Sequence, residues 1–158
     1  MEREEFNRCA ERYQDTIYRV ALNCFGSDAD AEDAVQEVLL RYYTADPALE
    51  SEEHRRRWLI RVTLNYCKNE LRRFGRRRQV SMEEVEIPFE NPEEGELFSI
   101  VMALPEKYRT ALYLFYYEDY TVKEIAEAVG IKVSAATTRL SRAREALRRE
   151  LKEVGIRG

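Results

Sequence analysis

Arg139, Arg142 and Arg144 fall within the run Arg139-Leu-Ser-Arg-Ala-Arg144, near the end of a chain of 158 residues. Guanidinium groups are planar forks of donors that pair with phosphates and with guanine edges, so arginines clustered along a helix suit nucleic acid. A second concentration of positive charge lies in residues 51–78, where ten bases stand against three acids. Acidic blocks alternate with these: residues 28–50 hold seven acids and one base, residues 79–100 hold seven acids and no base, and residues 131–158 return to eight bases and three acids. The net charge of −4 and the isoelectric point of 5.3 conceal this segregation. The pattern fits two polyanion-binding surfaces on one chain, or, more blandly, solvated helix faces.

Covalent chemistry finds little support. No nucleophile is paired with a base, no glycine-rich phosphate loop is present, and the single histidine, His54, falls in an expected loop. Cys9, Cys24 and Cys67 form no CxxC pair and with one histidine complete no metal set, so they are expected as buried thiols. The expectation is therefore a protein without catalytic residues, metal or cofactor. The longest stretch free of formal charge is nine residues, Leu97 to Pro105, well short of the about 20 apolar residues a membrane span needs. The charged start, Met1-Glu2-Arg3-Glu4-Glu5, has no signal-peptide core. A cytoplasmic protein with no membrane insertion is expected.

The elements that must position these groups read as helices. With 44% hydrophobic residues but only 6 Gly and 4 Pro, the composition disfavours a turn-rich β fold. Phe6, Cys9, Tyr13, Ile17, Val20 and Cys24 recur at three- and four-residue steps, predicting a helix over about 2–25 that Gly26 ends. Asp30 is the expected cap of a second helix reaching about Tyr43, with Ala31, Val35, Val38 and Tyr42 inward and Glu32, Asp33, Gln36 and Glu37 outward. A third helix over about 52–74 carries Ile60, Leu64, Cys67, Leu71 and Phe74 as its stripe. Trp58 beside that stripe is expected in the core, and of Tyr42 and Tyr43 one is expected buried.

Residues 79–91, acidic and punctuated by Pro88, read as a linker. Fully extended, these roughly a dozen residues span about 40 Å, enough for two small domains to occupy separate sites. The second half, 92–158, opens with Asn91 as cap and Pro92 at the first helical position, and Pro105 starts its next helix. Thr121-Val-Lys-Glu124 matches a capping box, Gly130 ends the short helix it opens, and Ser134 is the expected cap of a last helix with Ala136, Leu140, Ala143 and Leu147 inward. A short helix, a glycine turn and an arginine-bearing helix form a helix-turn-helix pattern. The expected fold class is all-α: two small helical bundles joined by an acidic linker, the C-terminal one a helix-turn-helix.

Three stretches together resemble the extracytoplasmic-function sigma factors, the minimal two-domain members of the bacterial primary sigma family. Asp30-Ala-Glu-Asp-Ala-Val-Gln-Glu-Val-Leu-Leu40 is similar to that family's helix for docking on RNA polymerase. Trp58-Leu-Ile-Arg-Val-Thr-Leu-Asn65, continuing to Lys68-Asn69 and Gly75-Arg-Arg-Arg78, is similar to its −10 promoter helix. Leu104-Pro-Glu-Lys-Tyr-Arg109, Glu124-Ile-Ala126, Gly130 and Arg139 to Arg144 are similar to its −35 helix-turn-helix.

The resemblance implies a region 2 domain over residues 1–78 and a region 4 domain over 92–158, acting as a monomer with core RNA polymerase and promoter DNA as partners. It implies polymerase contacts at Asp33, Gln36, Glu37 and Leu40. Contacts to the melted −10 strand would come from Arg61, Asn65, Lys68, Asn69, Arg72, Arg76, Arg77 and Arg78, with a base pocket in a preceding loop spanning about Thr44 to His54. Duplex −35 contacts would come from Thr121, Lys132, Ser134, Thr137, Thr138, Arg139, Arg142 and Arg144. An anti-sigma factor is implied as regulator. The run Ser134-Ala-Ala-Thr-Thr138 departs from the family's common Gly-Thr-Val-Lys-Ser. Thr137 stands where that run has a lysine, and one cation fewer on the phosphates lowers the salt slope of binding by about 0.9.

Overall fold

The computed structural model describes residues 1–74, 92–153 and 155, and these form seven α-helices with no strand among them. They are α1 (Arg3–Phe25), α2 (Asp28–Ala45), α3 (Glu52–Phe74), α4 (Pro92–Met102), α5 (Glu106–Tyr116), α6 (Val122–Val129) and α7 (Val133–Glu153). The chain divides into two compact units, Met1–Val80 and Ser81–Gly158. The expected linker, the cap at Asn91 and the arginines 76–78 lie outside the described residues.

In the first unit α1 packs against both α2 and α3, so its apolar surface is wide. Cys9, Tyr13, Ile17, Val20 and Cys24 are buried as their spacing predicts, and Ala21, Leu22 and Phe25 join them because two partner helices must be covered. Val38, Tyr42 and Leu59 complete the core around Ile17, with Phe6, Leu49 and Trp58 packed on its rim. Trp58 meets Tyr42 edge-on at 5.8 Å between ring centroids. All three cysteines are buried and none is in a disulfide. Gly26 ends α1 with φ 68°, and its N–H donates to the Leu22 carbonyl at 2.7 Å.

Two boundaries differ from the sequence reading. The cap of α2 is Ser27, whose hydroxyl accepts from the Asp30 N–H; Asp30 itself lies in the first turn, where its negative charge meets the positive end of the helix dipole. The helix runs on to Ala45 and stops where Asp46 turns into the left-handed region at φ 43°. The connection to α3 is therefore only residues 46–51. It is closed by Ser51, whose hydroxyl accepts from the His54 N–H at 3.0 Å, while His54 Nδ1 accepts from the Glu50 N–H.

The second unit is built on Leu104, Ala111, Leu112, Leu140 and Ala143, with Tyr108, Phe115, Val122 and Leu147 packed around them. Arg109 is buried and donates to the carbonyls of Leu104 at 2.6 Å and Met102 at 3.4 Å, satisfying groups freed where α4 ends. Thr121 and Glu124 form the full capping box: the Thr121 hydroxyl accepts from the Glu124 N–H at 3.1 Å, and the Thr121 N–H donates to the Glu124 carboxylate at 2.8 Å. Gly130, at φ 75°, turns the chain into α7, and α6 packs on that helix with Ile125 and Ala126 buried. α7 begins at Val133, so Ser134 lies inside its first turn and the Lys132 carbonyl accepts from the Ala136 N–H.

Candidate nucleic-acid and polymerase interfaces

Asp33, Gln36, Glu37 and Leu40 share one face of α2, since steps of three and four residues return to the same side of a helix. The face is solvent-facing, and Leu40 at its C-terminal end is 59% exposed. Glu37 is partly engaged, its carboxylate accepting from Arg41 Nε at 3.1 Å, and the Arg41 guanidinium lies 5.4 Å from the Tyr66 ring centroid. Tyr43, 50% exposed, extends this stripe by one turn and meets Phe6 edge-on. Its neighbour Tyr42 is buried. Tyr43 is absent from the face expected from sequence, although its place seven residues after Gln36 signals it.

On α3 the five described residues expected for the −10 strand, Arg61, Asn65, Lys68, Asn69 and Arg72, are all exposed and lie along one side of the helix. Arg61, Lys68 and Arg72 have no carboxylate partner among the described residues. The arginines at the start of the same helix differ. Glu52 pairs with Arg55, and Glu53 pairs with Arg56 at 3.4 Å and with Arg57 at 2.8 Å. The two acids of the first turn thus engage the first three arginines, whereas Arg61, Lys68 and Arg72 lie beyond their reach. The formal balance of the block overstates its field, and the field is concentrated in the second half of the helix.

A polar knot fixes where α3 starts. The Tyr13 hydroxyl of α1 donates to Glu52 Oε2 at 2.6 Å, Glu52 Oε1 accepts from Arg55, and Arg55 Nε donates to the Tyr42 hydroxyl at 3.1 Å. Tyr13 is pushed up to about 12, first by burial and then by the carboxylate it bonds. The same hydrogen bond, helped by Arg55 and Arg12, holds the Glu52 carboxyl below its usual value. Three helices meet in these contacts. The Tyr13–Glu52 and Tyr42–Arg55 contacts were not legible from sequence, because their partners lie 39 and 13 residues apart.

In the second unit a surface groove of about 380 Å³ is lined by Ser134, Ala135, Thr138, Arg139 and Arg142 of α7 and by Lys107 and Tyr108 of α5. Lys107, a cation outside the set expected from sequence, sits 5.3 Å from the Tyr108 ring centroid. Lys132 and Thr137 are exposed near the start of the same helix. The hydroxyls of Thr137 and Thr138 donate back along α7 to the carbonyls of Val133 and Ser134 at 3.0 and 3.1 Å. Thr121 is exposed but spends its hydroxyl on the α6 cap. Arg144 stands apart from Arg139 and Arg142. Its Nε donates to the Tyr116 hydroxyl at 2.8 Å, and its guanidinium lies 4.8 Å from the Phe115 centroid and 5.6 Å from that of Tyr116. Five residues beyond Arg139 on a helix is a turn of about 140°, so the two arginines face different sides.

Among the described residues no helix is long and apolar enough to cross a membrane, and no cluster of His, Cys, Asp and Glu has the arrangement to hold a metal ion. Both halves match known families: the Sigma-70 region 2 family over residues 9–78, and the Sigma-70 region 4 family over residues 95–147. The ECF RNA polymerase sigma factor SigL of Mycobacterium tuberculosis (strain Erdman) is 32% identical over 151 residues, covering 89% of this chain and 85% of that protein. The ECF RNA polymerase sigma factor SigW of Bacillus subtilis is 26% identical over 97% of this chain and 92% of its own length. The fold is that of the sigma factor RpoE from Bartonella quintana, solved with the anti-sigma factor NepR, at a TM-score of 0.78 and 21% identity over 94% of this chain and 98% of that one. An exposed acidic helix face, an open cationic helix and a helix-turn-helix thus fall within matched sigma regions, and the chain belongs to the extracytoplasmic-function sigma factors, which direct core RNA polymerase to promoters and initiate transcription.

Proposed function

We propose a division of this promoter-directing task among three faces. The α2 stripe of Asp33, Gln36, Glu37 and Leu40 docks on core RNA polymerase. The α3 face of Arg61, Asn65, Lys68, Asn69 and Arg72, with Arg76, Arg77 and Arg78 beyond it, holds the separated −10 strand. The α7 groove, with Lys132, Thr137, Thr138, Arg139 and Arg142, lies against the −35 duplex. The observation that carries this reading is the uneven pairing of charge on α3, where first-turn arginines are tied to Glu52 and Glu53 while Arg61, Lys68 and Arg72 stay open. Cations that fold into ion pairs stabilise a helix end; cations left unpaired along one face are available to a strand of phosphates.

In this reading the chain does its work by binding, without covalent catalysis or cofactor, in the cytoplasm where polymerase acts. Energy from capturing the separated strand offsets the cost of unstacking the promoter. The partner in the Bartonella structure, an anti-sigma factor, suggests the class of regulator this chain takes. The test is size-exclusion co-elution with sigma-free core polymerase in competition with a primary sigma factor. Wild type is expected to co-elute and to be displaced. Asp33→Lys with Glu37→Lys is expected to lose co-elution while keeping duplex binding by the second unit. Loss of both activities in that variant would overturn the assignment of the acidic face.

A further inference from the structure

The groove of the second unit has two walls, and its α5 wall carries a cation that the three faces leave out. Lys107 sits in the first turn of α5, is exposed, and has no carboxylate partner among the described residues. Its ammonium lies 5.3 Å from the ring centroid of half-buried Tyr108, within cation–π range, which keeps it beside the groove that both residues line. A cation in the first turn of a helix opposes the helix dipole, so Lys107 does not stabilise α5 from this place. The α7 wall is not uniform, because successive residues on a helix turn by about 100°. Measured from the buried stripe of Ala136, Leu140 and Ala143, Arg139 stands about 70° round α7 and Arg142 about 130°, while Ser134 and Thr138 stand about 150–170° away and face outward. Ala135 and Arg139 line the groove, whereas Val133 and Thr137, on the opposite flank of α7, do not. Arg139 is therefore the α7 cation on the flank where Lys107 stands, and it too has no carboxylate partner among the described residues.

We propose that Lys107 and Arg139 form a sequence-blind phosphate clamp on one backbone of the −35 duplex, while Ser134, Thr138 and Arg142 face the base edges. The inference rests on the assignment of α7 to that duplex. A helix seated in a major groove about 12 Å wide has a sugar–phosphate backbone on either flank. A second helix packed on it stands about 8–10 Å to one side, over one of those backbones. Lys107 is carried by such a helix, since α5 packs against α7. The clamp gives the departure at Thr137 a consequence. Thr137 is two residues, or about 200° of turn, from Arg139, and over residues 133–143 its flank of α7 carries no cation. Phosphate binding by this helix-turn-helix is thus one-sided, drawn to the backbone that α5 overlooks.

The experiment is fluorescence anisotropy of the full chain with a labelled, mixed-sequence DNA duplex of about 20 base pairs, titrated between about 50 and 200 mM salt, beside sequencing of the duplexes bound from a randomised pool. Lys107→Ala is expected to lower the slope of log affinity against log salt by about 0.9 and to select the same sequences as wild type. Lys107→Arg is expected to keep the wild-type slope. Arg142→Ala is the reference for the α7 face, expected to lower the slope and also to change the selected sequences. If Arg142→Ala lowers the slope and Lys107→Ala does not, the clamp is refuted and the −35 reading stands. If neither variant changes the slope, the −35 reading fails and the clamp falls with it. Different sequences selected by Lys107→Ala would make Lys107 a base reader and overturn the sequence-blind assignment. Because its side chain is exposed, Lys107→Ala is expected to melt with wild type. A lower melting midpoint with an unchanged slope would leave Lys107 a structural role and refute the clamp.

Discussion

Arg139 and Arg144 share a helix, yet their guanidinium groups touch different things. Arg139 and Arg142 line the surface groove, whereas Arg144 lies on Phe115 and bonds Tyr116. A cation stacked on two aromatic rings stabilises the crossing of α5 and α7 and has fewer donors left for DNA. Arg142→Ala is therefore expected to lower the salt slope of duplex binding by about 0.9. Arg144→Ala is expected to leave that slope unchanged and to cost about 1 kcal/mol of stability. Salt titrations of duplex affinity beside thermal melts check both. Tyr13 and Glu52 make a second residue-level prediction. Because the folded Tyr13 value is raised to about 12, its contribution is fully present below about 10 and is lost as pH rises through about 12. Because the folded Glu52 value is lowered, its contribution is present above the ordinary carboxylate range and is lost as pH falls below it. Tyr13→Phe is expected to cost about 1 kcal/mol near neutral pH. The gap to wild type should narrow at both extremes, as read by urea melts across pH.

At the scale of elements, the helix-turn-helix depends on how α6 begins and ends. The Thr121–Glu124 box satisfies donors that the first turn cannot, so Thr121→Ala is expected to destabilise the second unit by about 1 kcal/mol. In a unit of this size that lowers the melting midpoint by roughly 4–8 °C. Gly130 is at φ 75° with open space where a Cβ would stand. Gly130→Ala is expected to cost about 1 kcal/mol through backbone conformation alone. Melting of both variants, with duplex affinity measured at low temperature, separates unfolding from weaker DNA binding. The element boundaries were less legible than the elements. Ser27 and Asp30 are both good caps, and local propensity cannot rank them; the position of α2 against α1 leaves Ser27 as the residue before the first turn.

At the scale of the whole molecule, segregated charge is the organising feature. The acidic α2 face and the open cations of α3 belong to one unit, so a change to one should leave the other working. Single-strand binding of the Asp33→Lys, Glu37→Lys variant is therefore expected to stay within about twofold of wild type at about 0.2 M salt, where a Debye length below about 10 Å screens the added charge. Anisotropy of the variant against wild type checks this, and a large gain in affinity would show the two faces to be coupled.

The all-helical class, the apolar stripes of α1, α3 and α7, the capping box and the glycine turn follow from residue spacing, because helical period and capping are local properties of the chain. The family was legible for the same reason: its three motifs are contiguous runs. The pairing of Arg55 to Arg57 with Glu52 and Glu53 is local too, since the acids stand three or four residues before the arginines on one helix. Only the fold decided the contacts between helices. Arg144 reads as a partner of Arg142 in sequence and becomes a brace on Tyr116, which lies 28 residues away. The Tyr13–Glu52–Arg55–Tyr42 chain likewise joins residues from three helices. Such pairings depend on how helices cross, and that is set by the fit of whole side-chain surfaces rather than by any local run of the sequence.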